Sequence, residues 1–499
     1  MEYVLAVLRR RTLLVAGLLV AAGAWRALLS TRYFGWEESD YGNLAMVRGV
    51  LESGFTHFDM NHLPMYYGLS ALVMAVVGDA VQATLAVSML AGMLTVALTV
   101  VLGDRLAGRG VAWTAGAIAI VQPELALYAA SSLREPVYAA AVIGCLVALT
   151  RERLAWASVL AGVAFLTRMD GLLTLGPALL IHALGRPHRL ARVGAALGPL
   201  ALLVFAWAAY CSVVHGTWEF WGHSVAVNIE TGGTELAPDQ EGWAMDGLAV
   251  SWALLTDVLP GRIGWALSVG AVVGIVGIPW HRHDPRRTVG ITALCLLGFW
   301  LAIGFVAQHE PGHNLYWKWL HGVLPPLIVL ATIGVWRVAE QLSALVGRVP
   351  VYLLAVAAVA QTARAFALET KRQLDVSAEL YKPQLELAQW IESEVPEATP
   401  LLVDNIPGCW IDRREHGRTL HTWFDVPVEH DNRVAFGEWI EAEHIGYVLW
   451  FQEDWTQAPA IAPWLEQATA HHLGDVILVP LREEPGYGWV FYRVELVGG

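Results

Sequence analysis

The chain has 499 residues, of which 56% are hydrophobic and only 15% charged, and its mean hydropathy is +0.48. This balance excludes a water-soluble globule and leaves a polytopic membrane protein. The net charge of −13 belongs to the tail: residues 371–499 hold 9 Lys+Arg against 22 Asp+Glu, so residues 1–370 balance to zero.

The first element is an apolar run of about 19 residues after Arg9, Arg10 and Arg11. It is too long for a signal-peptide core and further spans follow, so it reads as an uncleaved span with a cytoplasmic N-terminus. In the loop beyond it, Trp36-Glu37-Glu38-Ser39-Asp40-Tyr41 sets three carboxylates where a membrane ends. Tyr41 to Leu51 has the apolar spacing of a helix lying along the surface. Acids at its N-terminal end either stabilise the helix dipole or supply a general base. Asn61-His62-Leu63-Pro64-Met65-Tyr66-Tyr67 then leads into apolar sequence. Residues 64–102 are apolar enough for two spans, while the charges allow one net crossing, so 64–78 is expected to be broken, shallow or re-entrant.

Arginines at 105 and 109, 151 and 153, 186, 189 and 192, 282, 286 and 287, and 337 and 348 mark cytoplasmic loops. Outward turns then fall near 131–135, 168–170, 215–247, 307–319 and 349–368, which gives about 11–13 membrane segments. Segments 136–150, 154–167 and 171–184 are short for full spans and are expected to line a cavity. Charged groups near membrane depth are functional candidates. Arg134 contacts a donor, its neighbour Glu135 or a lipid headgroup; Arg168 with Asp170 is a functional cation or a structural ion pair. Lys318, one of three lysines in the chain, faces a phosphate or anchors beside Tyr316, Trp317 and Trp319. In the 215–247 loop, Trp218, Trp221, His223, Asn228, Glu230 and Trp243 suit a sugar face or an interfacial belt.

The tail changes character. Gln384 to Val395 and Val434 to Glu443 read as helices, and Leu401 to Val403, Tyr447 to Phe451, Val476 to Val479 and Trp489 to Val494 as strands, together a small α/β domain. Its Asp404, Asp412 and His416 read as surface residues. Cys145, Cys211, Cys295 and Cys409 are far apart and imply no disulfide framework. His57, Asp59 and His62 share one loop and His309, Glu310 and His313 another, but Pro311 and Gly312 interrupt the second set, so these read as solvated loop histidines. No metal ligands are assigned, and a divalent cation is kept only as a candidate cofactor. No basic stripe marks a nucleic-acid partner.

Four stretches carry a family resemblance: Glu37-Glu38 with Tyr41, His62 to Tyr67, Gly162-Val163-Ala164-Phe165-Leu166-Thr167-Arg168, and Trp319-Leu320-His321-Gly322-Val323-Leu324-Pro325-Pro326. In order and spacing they resemble the GT-C class of membrane glycosyltransferases, in particular the glycosyltransferase family 39 group of protein O-mannosyltransferases and aminoarabinose transferases. Glu37 stands where that family has Asp and His62 where it has Lys. The Arg of the late motif is absent, with Lys318 or His321 the nearest cation.

The resemblance implies a GT-C fold with a small extracytoplasmic α/β domain, and inverting transfer of one sugar from a polyprenyl-phosphate-linked donor to a hydroxyl acceptor of protein, lipid or glycan type. Transfer would take place at the outer face of the cell membrane. Glu37, or else Glu38 or Asp40, would take the acceptor proton. His62, Arg134, Arg168, Lys318 and His321 are the donor-phosphate candidates, and Tyr66, Tyr67, Trp218, Trp221 and His223 the substrate-binding candidates. The expected division is a membrane domain at 1–370, with outer loops at 31–63 and 215–247, and an acidic extracytoplasmic domain at 371–499. The competing reading is a transporter or flippase of a lipid-linked or small polar solute, which predicts ionisable sites at the bilayer midplane and repeated halves.

Overall fold

The computed structural model describes residues 2–32, 39–55, 62–185, 187–218, 243–280, 284–307, 320–403, 411, 419–423, 426–427, 432–451, 462–466, 468–484 and 489–497. The chain divides into two units, one of residues 1–33 and 47–374 and the other of residues 34–46 and 375–499.

The first unit is helical. It begins with α1 (Glu2–Ser30), α2 (Ser39–Ser53), α3 (Pro64–Val77) and α4 (Ala80–Ala107). α2 covers the stretch whose spacing predicts a helix, and α3 is a 14-residue apolar helix over the stretch expected to be broken, shallow or re-entrant. α3 stops at Gly78, and α4 restarts on Asp79, whose carboxylate accepts from the Gln82 amide at 2.6 Å. α5 (Arg109–Val121) and α6 (Pro123–Leu127) meet at a 66° bend. Pro123 brings no amide proton to the ladder, and the Gln122 side chain caps α6 by accepting from Leu125 N at 2.8 Å.

Three short helices follow, α7 (Glu135–Thr150), α8 (Leu154–Phe165) and α9 (Asp170–Leu184), then the long α10 (Arg189–His215). α11 (Trp243–Ala253) continues through a π turn at Leu254–Val258 into α12 (Leu259–Ile263). The chain then turns by 116° into α13 (Trp265–Val276). That corner is Gly264 at φ 80, a backbone region that glycine adopts without steric penalty. α14 (Pro285–Ala307), α15 (Leu324–Val346) and α16 (Arg348–Glu394) complete the helices of this part.

Among the described residues, α4, α10, α14 and α15 are long and apolar enough to cross a membrane, and each bent pair makes one further candidate span. α3, α7, α8, α9 and the last half of α1 are shorter apolar helices.

Polar contacts sort the helix ends into two groups. At one end Arg105 donates to the Thr150 carbonyl at 2.9 and 2.6 Å, Glu152 pairs with Arg192 at 2.5 Å, and Arg337 donates to the Gly277 carbonyl. At the other, Thr84 bonds Ser132 at 3.0 Å, Ser88 donates to Leu133 O at 2.6 Å, and Met65 N donates to Leu166 O at 3.0 Å.

α13 and α15 approach closely because small residues face each other. A Cβ on Gly334 would lie 1.9 Å from Gly270 O, and one on Gly274 would lie 2.1 Å from Leu330 O. Lipid removes the hydrophobic drive for helix association, so this backbone proximity carries the pairing.

The second unit contains a six-stranded sheet in the order β2-β1-β3-β6-β5-β4. The strands are β1 (Leu401–Val403), β2 (Leu420–Thr422), β3 (Tyr447–Phe451), β4 (His471–Leu473), β5 (Val476–Glu484) and β6 (Trp489–Leu496). β1 runs parallel to β2 and β3; the remaining pairs are antiparallel. Alternation divides the side chains between two cores. Leu402, Val448, Trp450, Val490 and Tyr492 pack with Phe436 and Ile440 of α17 (Arg433–Ala442). Leu401, Val403, Leu449, Trp489 and Phe491 pack with Leu387, Ala388 and Ile391 from the last turns of α16. The Tyr492 hydroxyl donates to Leu465 O at 2.7 Å, and burial holds that phenol above its ordinary pKa.

The close α13–α15 contact generates a stability prediction. Gly274→Val in purified protein should lower the thermal unfolding temperature, by the equivalent of about 1–3 kcal/mol or more of overpacking. An unchanged transition would mean that the two backbones do not meet as described.

Candidate functional site

The end of the first unit that holds Ser132 and Leu166 also gathers the buried charges. Glu135 opens α7 and Asp170 opens α9, each an acid in the first turn of a helix, where the exposed amides favour negative charge. Arg168, in the turn between α8 and α9, pairs with both: its Nη1 donates to Glu135 and its Nε to Asp170 Oδ1 at 3.1 Å. All three are buried, and the Arg168 guanidinium sits 5.8 Å from the Tyr138 ring centre. One cation between two carboxylates holds α7, α8 and α9 together at this level.

A second cluster forms where the two bent spans meet. Arg262 of α12 lies 3.2 Å from Glu124 of α6 and also pairs with Glu369 of α16. Arg372 Nε and Gln373 Nε2 reach Glu369 at 3.2 and 2.9 Å, and Gln122 donates to Glu124. His321, fully buried in the turn before α15, approaches the Glu124 carbonyl at 3.0 Å and packs on Tyr128 with ring centres 4.3 Å apart. Next to it, Gly322 lies against Tyr138, so the two clusters are neighbours.

Arg26 adds a third buried cation. It donates to Ala22 O at 3.1 Å and reaches Leu125 O at 3.5 Å, with no carboxylate partner among the described residues. A Cβ on Gly92 would come within 2.9 Å of its Nε, so glycine there leaves room for the guanidinium.

The sequence candidates distribute as follows. Arg168 and His321 fall in the two clusters, and Arg168 is committed to Glu135 and Asp170. Arg134 is half-buried in the turn before α7, where its carbonyl accepts from the amides of Val137 and Tyr138, and it forms no ion pair among the described residues. Tyr66 and Tyr67 are fully buried: Tyr66 lies 3.4 Å from the Ser88 hydroxyl, and Tyr67 meets half-buried His62 edge-on at 5.5 Å. Trp218 is exposed beside Phe205. Asp40 belongs to the first turn of α2. Glu37, Glu38, Trp221, His223 and Lys318 lie outside the described residues, as do His57, Asp59, His309, Glu310, His313 and Cys409. Among the described residues no group of three or more His, Cys, Asp or Glu side chains forms a metal site.

Glu124, Arg262, Glu369 and Arg26 escape the sequence reading. The signal available for the first two is a lone charge inside an apolar stretch, next to Pro123 in one case and two residues before Gly264 in the other.

Two apolar grooves open beside this end. One, about 740 Å³, runs between α5, α13, α15 and α16, with Ala266, Thr362 and Phe366 on its walls. Thr362 lies against Gly264, two residues beyond Arg262. The other, about 630 Å³, is framed by Val50, Phe55, Pro64, Leu166, Leu203 and Trp207.

No family model and no curated protein matches this chain. Solved structures do. ArnT of Cupriavidus metallidurans, an aminoarabinose transferase, superposes with a TM-score of 0.61 at 17% identity in its apo state, covering 99% of both chains. The same protein bound to undecaprenyl phosphate gives 0.62 at 14%, covering 98% of both. The chain has the GT-C fold. The archaeal oligosaccharyltransferase AglB of Archaeoglobus fulgidus, in complex with an inhibitory peptide and a dolichol-phosphate, is similar at a TM-score of 0.52 and 13% identity, over 92% of this chain and 73% of AglB. The apolar helices and this fold make the chain a multi-pass membrane protein.

Burial sets the expected behaviour of the first cluster. Arg168→Gln strands two carboxylates and should destabilise the protein by about 3–5 kcal/mol. Thermal unfolding in detergent measures this, and a transition equal to that of the unaltered protein would remove the cluster's structural role.

Proposed function

We propose that this protein transfers one sugar from a polyprenyl-phosphate-linked donor to a hydroxyl acceptor at the outer face of the membrane, with inversion at the anomeric carbon. The observation that carries the reading is the whole-chain likeness to ArnT, in which one matching structure holds undecaprenyl phosphate. The AglB likeness, with dolichol-phosphate and peptide, is consistent with it.

In this mechanism a carboxylate of the first loop, Glu37 first and Glu38 or Asp40 in its stead, takes the acceptor proton. The acceptor oxygen attacks the anomeric carbon as the bond to the lipid phosphate breaks, and polyprenyl phosphate leaves with the electron pair. Cations beside that phosphate lower the barrier by stabilising developing negative charge. Arg134 is the described candidate best suited to this, because it forms no ion pair among the described residues, whereas Arg168 is engaged by two acids. Lys318, His62 and His321 complete the donor-side set, with Arg26 added as a buried cation that has carbonyl acceptors and no carboxylate partner among the described residues; Arg262, like Arg168, is engaged by two acids. The groove bounded by Ala266, Thr362 and Phe366 supports a lipid-tailed donor, since it joins apolar walls to this charged end. A divalent cation stays a candidate cofactor through loop residues alone. The acidic 371–499 region is proposed as an extracytoplasmic domain.

A second reading, movement of a lipid-linked solute, draws on the two bent spans with ionisable residues close to their breaks. One experiment separates the two. Purified protein with native membrane lipid extract is given a panel of radiolabelled polyprenyl-phosphate sugars, with Glu37→Gln alongside. Transfer should appear with one donor and fall about 10²–10⁴-fold in the variant. Full transfer by Glu37→Gln would reassign the base; donor translocation in vesicles without transfer would favour the second reading. Arg134→Gln should leave the unfolding temperature unchanged while lowering transfer by about tenfold or more. Unaltered turnover would remove Arg134 from the donor site.

A further inference from the structure

We infer that the cleft between α3, α4, α7 and α8 binds an acidic phospholipid, its phosphate held by Arg151 and Arg153 and an acyl chain lying along α7. The cleft measures about 670 Å³ and is walled by apolar groups, among them Leu94, Ala141, Gly144, Ala148 and Trp156. The small residues of α7 form the floor, and a Cβ on Gly144 would already touch Leu98 and Leu160 at 3.6 and 3.5 Å.

Arg151 and Arg153 stand at the foot of this cleft, in the turn between α7 and α8. Both are exposed, and neither pairs with a carboxylate among the described residues. Glu152, the one acid of the turn, takes φ 57, and its carboxylate is occupied by Arg192 at 2.5 Å and approached by His182 at 3.5 Å. Arg105, bound to the Thr150 carbonyl, adds a third positive charge at the same level. Trp156, one helical turn above Arg153, is 64% exposed and suits the headgroup boundary.

Helix length strengthens the demand for an anion. α7 and α8 have 16 and 12 residues. They rise only about 24 and 18 Å, against a hydrocarbon thickness of ~30 Å. A turn with exposed Arg151 and Arg153 at the end of such short helices suits the headgroup level, where a lipid phosphate pairs with basic side chains. The site is separate from the proposed transfer end, because α7 carries Glu135 at its start and Arg151 just past its end. For that reason the occupant is a structural phospholipid of the surrounding leaflet and not the donor.

The test is native mass spectrometry of the full-length protein with equimolar phosphatidylglycerol, phosphatidylethanolamine and polyprenyl phosphate. Phosphatidylglycerol should be retained preferentially. In Arg151→Gln/Arg153→Gln its apparent affinity should fall about thirtyfold, from roughly one kcal/mol per basic residue. Ala148→Leu, which fills the cleft without altering charge, should also weaken retention. Equal retention of the two phospholipids, a preference unchanged in the double arginine variant, retention unchanged in Ala148→Leu, or displacement of phosphatidylglycerol by equimolar polyprenyl phosphate would overturn the inference.

Discussion

A guanidinium removed from water needs acceptors beside it, and at one end of the first unit's helices two of the three buried arginines among the described residues meet that need with carboxylates. Arg168 between Glu135 and Asp170, and Arg262 between Glu124 and Glu369, each join elements that are individually too short or too bent to define a position. α7, α8 and α9 have only 16, 12 and 15 residues. Their ends meet because breaking such a pair inside a low-dielectric layer costs several kcal/mol. Away from that layer, packing takes over: Gly270, Gly274 and Gly334 let α13 and α15 touch through their backbones.

The same pairing sorts the cations by what they are available to do. Arg168 is neutralised, so its contribution is position. Arg134, four residues ahead of Tyr138, lies in the same layer without an ion pair among the described residues. A rigid set of paired charges beside unpaired ones is an arrangement suited to holding an anion, because the donors are fixed before the ligand arrives. Under the proposed function, the apolar groove near Thr362 would take the tail of such an anion.

Much of this was legible in the sequence, for physical reasons. Apolar runs and arginine clusters located the helices, and the spacing of Arg151, Arg153, Arg168 and Asp170 already required α7 to α9 to be short. Apolar runs in the tail located β1, β3, β5 and β6. β2 and β4 escaped because Leu-His-Thr and His-His-Leu carry histidines and form no apolar run. Asp170 beside Arg168 was readable as a pair, but Glu135 is 33 residues away in sequence, and Glu369 is 107 from Arg262. Long-range partners leave no local mark, and the bends that bring them together depend on single residues such as Pro123 and Gly264.

The central claim is that donor chemistry belongs to the end of the bundle that carries these clusters. A cryo-EM structure of the protein with a non-transferable polyprenyl-phosphate sugar bound tests it most directly. The account predicts the phosphate near Arg134 and the Glu135–Arg168–Asp170 cluster, with the tail entering an apolar groove at that end. A phosphate seated instead beside Arg151 and Arg153, or at a depth between the two ends, would contradict it.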